Sequence, residues 1–167
     1  MKTLFLLRHA KAENPAPGST DLNRALNERG RREAQAVGTF IKKQNLRFDL
    51  VLCSTAVRAR ETAELVLAAA ELAAKVRYDG RIYEAGPPRL REVTAEIEAH
   101  TSTVLLVGHN PGMEELLQLL TDRVERMATG TLAKIDLAAD EWSKITEDNA
   151  NLCNLDWIVK PKELAAG

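Results

Sequence analysis

Four short apolar runs, separated by longer amphipathic runs, constrain the fold of this chain of 167 residues. The apolar runs are residues 3–7, 49–53, 75–78 and 103–107. All but the third are apolar almost throughout, which is typical of strands buried on both faces of a parallel sheet. The segments with helical spacing of apolar residues are 27–44, 55–72 and 89–100. The alternating order predicts an α/β fold on a mainly parallel sheet.

The last third of the chain predicts strands of a different kind. Apolar and polar residues alternate at positions 133–137 and 153–159, as expected for half-exposed, antiparallel strands at a sheet edge. With helices on both faces of the sheet, the expected fold class is an α/β three-layer sandwich with at least one antiparallel edge strand. The length fits one domain that covers residues 1–167.

Charge and cysteine content argue against several classes of protein. Lys and Arg number 23 against 24 for Asp and Glu, so no basic excess exists to bind a nucleic-acid backbone. The apolar run that ends at Arg8 is too short for a signal peptide or a membrane span, so we expect no membrane partner. Cys53 and Cys153 lie in apolar, strand-like stretches and form no disulfide framework. We therefore expect a cytoplasmic protein.

Two histidines follow predicted strands at matching positions. His9 comes after the first strand and His109 after the fourth. Because the carboxyl ends of parallel strands meet at one edge of a sheet, we expect the two imidazoles to lie close together. Arg58 follows the second strand, in the first turn of a helix, and can point to the same place. Asn110 suits an N-cap and Pro111 a first helical position, so we predict another helix beginning at this edge.

Such a cluster suits a dianionic phosphoryl group. Arg8 and Arg58 offer forked N–H donors that match phosphoryl oxygens, and a helix N-terminus favours an anion. Taken singly, each residue has an ordinary explanation, since a histidine at a strand end is usually structural and an arginine early in a helix is usually solvated. The paired positions of His9 and His109 favour the phosphate site.

Other chemistries fit these residues less well. Only four residues separate Cys53 from Arg58, whereas the phosphate loop of cysteine-dependent phosphatases has five, and a cysteine that ends an apolar strand is usually inert. His9, His109 and Cys53 have no metal-ligand spacing of the usual kind. The sequence also lacks a Walker loop and a dinucleotide-binding glycine fingerprint.

Three motifs resemble those of the histidine phosphatase superfamily, which also contains the phosphoglycerate mutases. They are Arg8-His9-Ala10-Lys11-Ala12, the segment Ser54-Thr55-Ala56-Val57-Arg58-Ala59-Arg60-Glu61-Thr62-Ala63, and Gly108-His109-Asn110. The segment Asp21-Leu22-Asn23-Arg24, followed by Leu26 and Gly30, is most similar to the SixA-type phosphohistidine phosphatases. The resemblance extends from residue 1 to about residue 160 and implies a phosphoglycerate mutase-like sandwich.

The resemblance also implies a mechanism. In that family His9 would be the nucleophile that is transiently phosphorylated, while Arg8, Arg58 and His109 would bind the phosphoryl oxygens and stabilise the transition state. Asn110 is a further candidate for phosphate binding. No metal or other cofactor is implied, because this cluster supplies the positive charge that Mg²⁺ supplies in kinases and P-loop enzymes.

The proton donor is the least defined part of the predicted site. The family usually places an acidic residue after the third strand, where this chain has Glu84. Glu13 and Asp21, on the loop after the first strand, are alternatives that can reach the same space. Arg24, on the same loop, is a candidate for the entrance of the site.

The expected substrate is a phosphorylated protein. The chain has few residues with which to build walls around its site, so we expect a shallow pocket that admits a phosphohistidine side chain of a protein. A phosphatase or mutase for small sugar or nucleotide phosphates is the alternative within enzymes. A phosphate-binding module without turnover is the alternative from another class.

Overall fold

The computed structural model describes residues 1–149 and 151–164, and a six-stranded mixed sheet forms the centre of this part of the chain. The strands are β1 (Lys2–Arg8), β2 (Leu50–Cys53), β3 (Val76–Tyr78), β4 (Thr103–Gly108), β5 (Leu132–Leu137) and β6 (Cys153–Val159). The helices are α1 (Glu28–Lys43), α2 (Val57–Ala70), α3 (Pro87–Ala95), α4 (Gly112–Thr121) and α5 (Pro161–Leu164). None of these helices has the length and apolar character needed to cross a membrane.

The strand order is β3-β2-β4-β1-β5-β6. Strands β1 to β4 pair in parallel, whereas β5 is antiparallel to β1 and β6 is antiparallel to β5. This arrangement confirms the predicted mainly parallel sheet with an antiparallel edge strand, which is β6. β5 differs from the expectation because it lies inside the sheet, between β1 and β6, where Leu132, Ala133 and Ile135 are fully buried.

Helices cover both faces of the sheet, which gives the predicted three layers. Successive side chains of a strand point to opposite faces. Leu4 and Leu6 of β1 therefore join the core under α3 and α4, whereas Phe5 and Leu7 join the core under α1 and α2. With both faces covered, the carboxyl edge of β1, β2 and β4 is left for a functional site.

All four predicted helices begin one or two residues from their predicted positions, and the starts of α1 and α3 have a clear local cause. α1 begins after Asn27, whose side-chain oxygen accepts a hydrogen bond from the Gly30 N–H at 2.8 Å and so caps the helix. α3 begins at Pro87 and ends at Ala95, instead of spanning residues 89–100. A proline is compatible with the first turn of a helix, which accounts for the earlier start.

The predicted cap of α4 is wrong. The helix begins at Gly112, and Asn110 does not cap it. The Asn110 side-chain nitrogen donates to the Glu114 carboxylate at 2.6 Å and to the Met127 carbonyl at 2.9 Å. An N-cap requires the side-chain oxygen to accept from the first turn of the helix. The amide instead connects α4 to the segment that precedes β5.

Candidate active site

The two histidines predicted to share one edge of the sheet lie against each other. The ring centroids of His9 and His109 are 5.0 Å apart, and the rings are tilted by 56°. Both residues are buried, with 8% and 7% of their surfaces exposed. The His9 N–H donates to the Gly108 carbonyl at 3.0 Å, which holds together the two segments that leave β1 and β4.

His9 is oriented by its neighbour in the sequence. Its Nδ1 atom lies 2.8 Å from the Ala10 carbonyl oxygen. A carbonyl oxygen only accepts, so Nδ1 carries the hydrogen and Nε2 of the neutral ring keeps a free lone pair. The Ala10 N–H donates in turn to the Thr62 hydroxyl at 3.0 Å, and that hydroxyl donates to the Arg58 carbonyl at 2.7 Å. These contacts fix the His9 ring relative to α2.

Burial keeps both imidazoles neutral. Removal from water, together with the positive charges nearby, lowers the pKa of His9 to about 3. The same two causes lower the pKa of His109 to about 4, with Arg58 as the strongest neighbouring charge. His109 Nε2 lies 2.8 Å from the hydroxyl oxygen of Ser54. At neutral pH His9 therefore carries the free lone pair that a nucleophile needs.

Arg8 enters the cluster at the end of β1. Its Nη1 donates to the Met127 carbonyl at 3.0 Å. Burial lowers the pKa of Arg8, while Glu114 and Glu33 act in the opposite direction. The Glu114 carboxylate also accepts from the Met127 N–H at 2.9 Å, so the segment that holds Arg8 is itself held by α4.

Arg58 lies in the first turn of α2 and is 6% exposed. Its guanidinium donates to Asp21 twice, to the backbone carbonyl at 2.7 Å and to the carboxylate at 3.0 Å. The same carboxylate accepts from Tyr83 at 2.5 Å and from Arg24 at 2.9 Å. We call these four residues the Asp21 cluster.

The Asp21 carboxylate is ionised. Hydrogen bonds, chiefly from Tyr83 and Arg24, hold its pKa well below the usual range. The same contact with Asp21 raises the pKa of Tyr83 to about 12, so the phenol keeps its proton and donates. Asp21 has no proton to donate at neutral pH, which disfavours it as the proton donor of the site.

The two remaining acidic candidates lie at different places. Glu84 is exposed and lines a pocket of about 370 Å³ together with Arg58 and His109. Its backbone has a φ of 54°, a left-handed conformation that is uncommon outside glycine and that often marks a functional turn. Glu13 is exposed on the early loop, and its backbone carbonyl accepts from Arg24 at 2.9 Å.

Two buried side-chain nitrogens of the cluster have no hydrogen-bond partner in the described part of the protein. They are Arg8 Nε and His109 Nδ1. Buried polar atoms almost always have a partner, so these nitrogens are available to a ligand, and Arg8 Nε, which can only donate, suits an acceptor oxygen. The described residues contain no group of three or more His, Cys, Asp or Glu that could hold a metal ion.

Comparison with known proteins decides the family. The family model of the histidine phosphatase superfamily (branch 1) matches residues 4–87. This chain belongs to the histidine phosphatase superfamily. An uncharacterised protein of Mycobacterium leprae (strain TN) is 31% identical over 159 residues, which cover 87% of this chain and 96% of that protein.

Solved structures place the chain in the SixA-type branch of that superfamily. A proposed phosphohistidine phosphatase SixA from Nakamurella multipartitia is 30% identical, with a TM-score of 0.82 and coverage of 96% of each chain. A mycobacterial glucosyl-3-phosphoglycerate phosphatase shares the fold at 18% identity, with a TM-score of 0.68 and coverage of 93% of this chain and 97% of that one.

Several members of the site were not singled out from the sequence. Tyr83 stands edge-on to the His109 ring, with centroids 5.4 Å apart, and binds Asp21. Ser54 and Thr62 lie in the second superfamily motif, and their hydroxyls contact His109 and the backbone of Ala10. The motif itself was the available signal for these two residues, whereas nothing in the sequence indicated the contact between Tyr83 and Asp21.

Cys53 is inert, as the sequence indicated. Burial raises the pKa of its thiol to about 12, so it forms no thiolate at neutral pH. A cysteine-dependent mechanism of this histidine phosphatase is therefore disfavoured. The His9 imidazole, in contrast, keeps an available lone pair at neutral pH, as the predicted nucleophile requires.

Proposed function

We propose that this phosphatase of the histidine phosphatase superfamily hydrolyses protein phosphohistidine through a covalent intermediate on His9. The observation that carries the proposal is the hydrogen bond from His9 Nδ1 to the Ala10 carbonyl. This bond leaves the Nε2 lone pair free on a ring that packs against His109 and lies within the electrostatic reach of Arg58, the groups suited to bind a phosphoryl group. The similarity to a proposed SixA phosphohistidine phosphatase supports the choice of substrate.

The first step transfers the phosphoryl group to His9. The Nε2 lone pair forms a bond to phosphorus while the bond from phosphorus to the substrate imidazole breaks. The released electron pair stays on the leaving nitrogen, and the substrate ring departs neutral if its other nitrogen is protonated. His9 becomes a phosphoimidazolium whose Nδ1–H still donates to Ala10. This contact stabilises the positive charge that the ring acquires.

The second step releases phosphate. The oxygen of a water molecule forms a bond to phosphorus, the Nε2–phosphorus bond breaks, and the electron pair returns to Nε2. One proton of the water passes to solvent or to a phosphate oxygen. His9 returns to its starting tautomer, because the Nδ1 hydrogen has stayed in place throughout.

Arg8, Arg58 and His109 are the proposed phosphoryl ligands. A guanidinium has five N–H donors, and Asp21 accepts from two groups of Arg58, so donors remain for phosphoryl oxygens. Arg8 Nε and His109 Nδ1 are unpartnered buried nitrogens of the same cluster, and Nδ1 is a donor in the tautomer whose Nε2 accepts from the Ser54 hydroxyl. Preorganised donors of this kind stabilise the charge that develops in the transition state.

Asn110 and Arg24 act as positioning residues in this proposal. The Asn110 amide nitrogen donates to Glu114 and Met127, and the Met127 carbonyl holds Arg8. The Asn110 side chain thus helps to orient Arg8, a proposed ligand of the phosphoryl group. We propose this role for Asn110 instead of the direct phosphate contact expected from the sequence. Arg24 donates to the Asp21 carboxylate, which also accepts from Arg58.

Glu84 is the proposed proton donor for ester substrates, because it lines the pocket with Arg58 and His109. An alkoxide leaving group needs a proton in the transition state, whereas a protonated phosphohistidine ring does not. We expect Glu84→Gln to lower kcat/KM for alkyl phosphates by about a hundredfold and to leave phosphohistidine hydrolysis nearly unchanged. Equal losses on both substrates would instead assign Glu84 a structural role.

A small phosphorylated metabolite is the second candidate substrate, since a glucosyl-3-phosphoglycerate phosphatase shares the fold. The deciding experiment compares kcat/KM for a phosphohistidine protein, a phosphotyrosine peptide and sugar phosphates, with His9→Ala as the control. We expect the phosphohistidine protein to be preferred. Preference for a sugar phosphate would overturn the substrate class, and phosphate binding without turnover would indicate a non-catalytic module.

A further inference from the structure

We propose that a basic groove beside the active site binds an acidic segment of the phosphoprotein substrate, a proposal that rests on the phosphatase function above. The groove has a volume of about 510 Å³ and lies between the start of α1 and the start of α5. Its charged side chains are Arg29, Arg32, Glu33, Lys160 and Lys162. We call it the basic groove.

The basic groove opens at the same edge of the sheet as His9. β6 runs in the direction of β1, because each is antiparallel to β5. Leu7 pairs with Leu132, and Leu132 pairs with Val159, so Val159 lies at the level at which β1 ends. Lys160 follows immediately. Two strand spacings separate β1 from β6, which is about 10 Å.

A shared wall joins the basic groove to the phosphoryl site. Thr129 lines the groove, and the N–H of the next residue, Gly130, donates to the carbonyls of Arg8 and His9 at 3.0 and 3.2 Å. The Glu33 carboxylate accepts from the Lys11 N–H at 2.9 Å. The groove therefore rests on the same segment that carries the proposed nucleophile.

The positive charge of the basic groove is largely uncompensated. The Glu33 carboxylate already accepts from Lys11 and from the Thr129 hydroxyl at 3.1 Å, and it lies 3.4 Å from Arg29. Among the ion pairs within residues 1–149 and 151–164, none includes Arg32, Lys160 or Lys162. An acidic partner is complementary to this surface, whereas a basic one is repelled.

The distance between the two sites favours an extended polypeptide ligand. A ligand that contacts both sites must cross two strand spacings, about 10 Å between the backbones of β1 and β6. An extended polypeptide advances about 3.3 Å per residue, so acidic residues three to six positions from the phosphohistidine would lie over the groove. The groove would thus favour a protein substrate that carries acidic residues near its phosphohistidine.

Two synthetic phosphohistidine peptides test the proposal. They are identical except for Glu or Gln at positions three to six on both sides of the phosphohistidine. Their binding is measured by fluorescence anisotropy on His9→Ala, which cannot turn them over. We expect the Glu peptide to bind about tenfold more tightly, a preference that should decrease as salt is added.

The groove variant is Arg32→Glu with Lys162→Glu, and its matched control is Lys43→Glu with Arg47→Glu. The control pair is equally exposed but lies at and just beyond the opposite end of α1. The preference for the Glu peptide should disappear in the groove variant and persist in the control. Turnover of a small aryl phosphate by the same variants in the wild-type His9 background should be unchanged.

The outcomes separate the two proposals. Equal binding of both peptides, or a preference that survives in the groove variant, would overturn the docking inference while leaving the phosphatase intact. A Glu preference on His9→Ala supports docking even if the wild-type protein releases no phosphate from either peptide. The absence of phosphate release would count against the proposed function and not against the docking inference.

Discussion

At the scale of single residues, the chemistry depends on how buried charges are paired. Arg58 offers donors to the phosphoryl site, and the position of its guanidinium is set by Asp21, which also binds Tyr83 and Arg24. Asp21 is therefore a positioning residue. The pKa of Tyr83 reports whether the Asp21 carboxylate is ionised and in contact.

Asp21→Asn should lower the pKa of Tyr83 from about 12 towards its ordinary value of 10.0, because the negative acceptor that disfavours the phenolate is gone. Ultraviolet titration of the phenolate measures this change, and Tyr83→Phe identifies the signal, since the chain has two tyrosines. In the same variant kcat should fall by about tenfold or more as Arg58 loses its partner. An unaltered Tyr83 titration would show that the Asp21 cluster does not form.

The two buried histidines also make stability depend on pH. Their pKa values are lowered from 6.5 to about 3 and about 4 on folding, so the unfolded chain binds more protons between about pH 4 and 6.5. By linkage the free energy of unfolding falls as pH is lowered through this window, by up to about 1.4 kcal/mol per pH unit for each histidine.

Urea unfolding between pH 4.5 and 7 measures that dependence. The slope should flatten in His9→Ala and in His109→Ala, whereas the exposed His100→Ala serves as the control with a wild-type slope. A wild-type slope in all three variants would contradict neutral, buried imidazoles at the site. The slope is informative even where a variant is less stable overall.

Part of the site could be predicted at the residue scale. His9 and His109 follow their strands directly, and Arg58 lies in the first turn of the helix after β2, so the rule for parallel strand ends places them at one edge. Asp21 reaches Arg58 only through the path of the loop before α1, and no periodicity in the sequence specifies that path. For the same reason the ionised state of Asp21 could not be inferred before its donors were known.

At the scale of secondary-structure elements, α4 and the loop before α3 meet at a contact that only glycine permits. A Cβ atom on Gly112 would lie 2.0 Å from the Ala85 carbonyl oxygen. This contact sets the distance between α4 and the segment that carries Glu84, and hence the width of the pocket.

Gly112→Ala should destabilise the protein by about 2–4 kcal/mol, because backbone must move to relieve the overlap. Gly86→Ala is the matched control, since its nearest contact would be an ordinary 3.8 Å to Pro88. Chemical denaturation of both variants gives the comparison. If Gly112→Ala were as stable as Gly86→Ala, the close packing of α4 on this loop would be wrong.

Apolar runs and helical spacing predicted most elements, because burial dictates both patterns. The start of α4 was predicted to within one residue, but its cap was not. Asn110 has the side chain of a good cap, but the tertiary contacts of its amide with Glu114 and Met127 outweigh the local preference. Local sequence does not reveal a partner that lies many residues away.

At the scale of the whole molecule, the sheet order brings two sites to one edge. The sequence predicted strands in residues 133–137 and 153–159, but not that β5 would pair with β1 and continue the sheet as far as β6. That pairing places the basic groove beside His9. A formal net charge of -1 for the chain gave no sign of this local positive surface.

A phosphorylated His9 can be detected by trapping the covalent intermediate. The protein is mixed with ³²P-labelled phosphohistidine protein, denatured in base within one turnover, and mapped by peptide sequencing. We expect acid-labile, base-stable label on His9, and neither label nor appreciable turnover in His9→Ala. Label on another residue, or near wild-type turnover by His9→Ala, would contradict this intermediate.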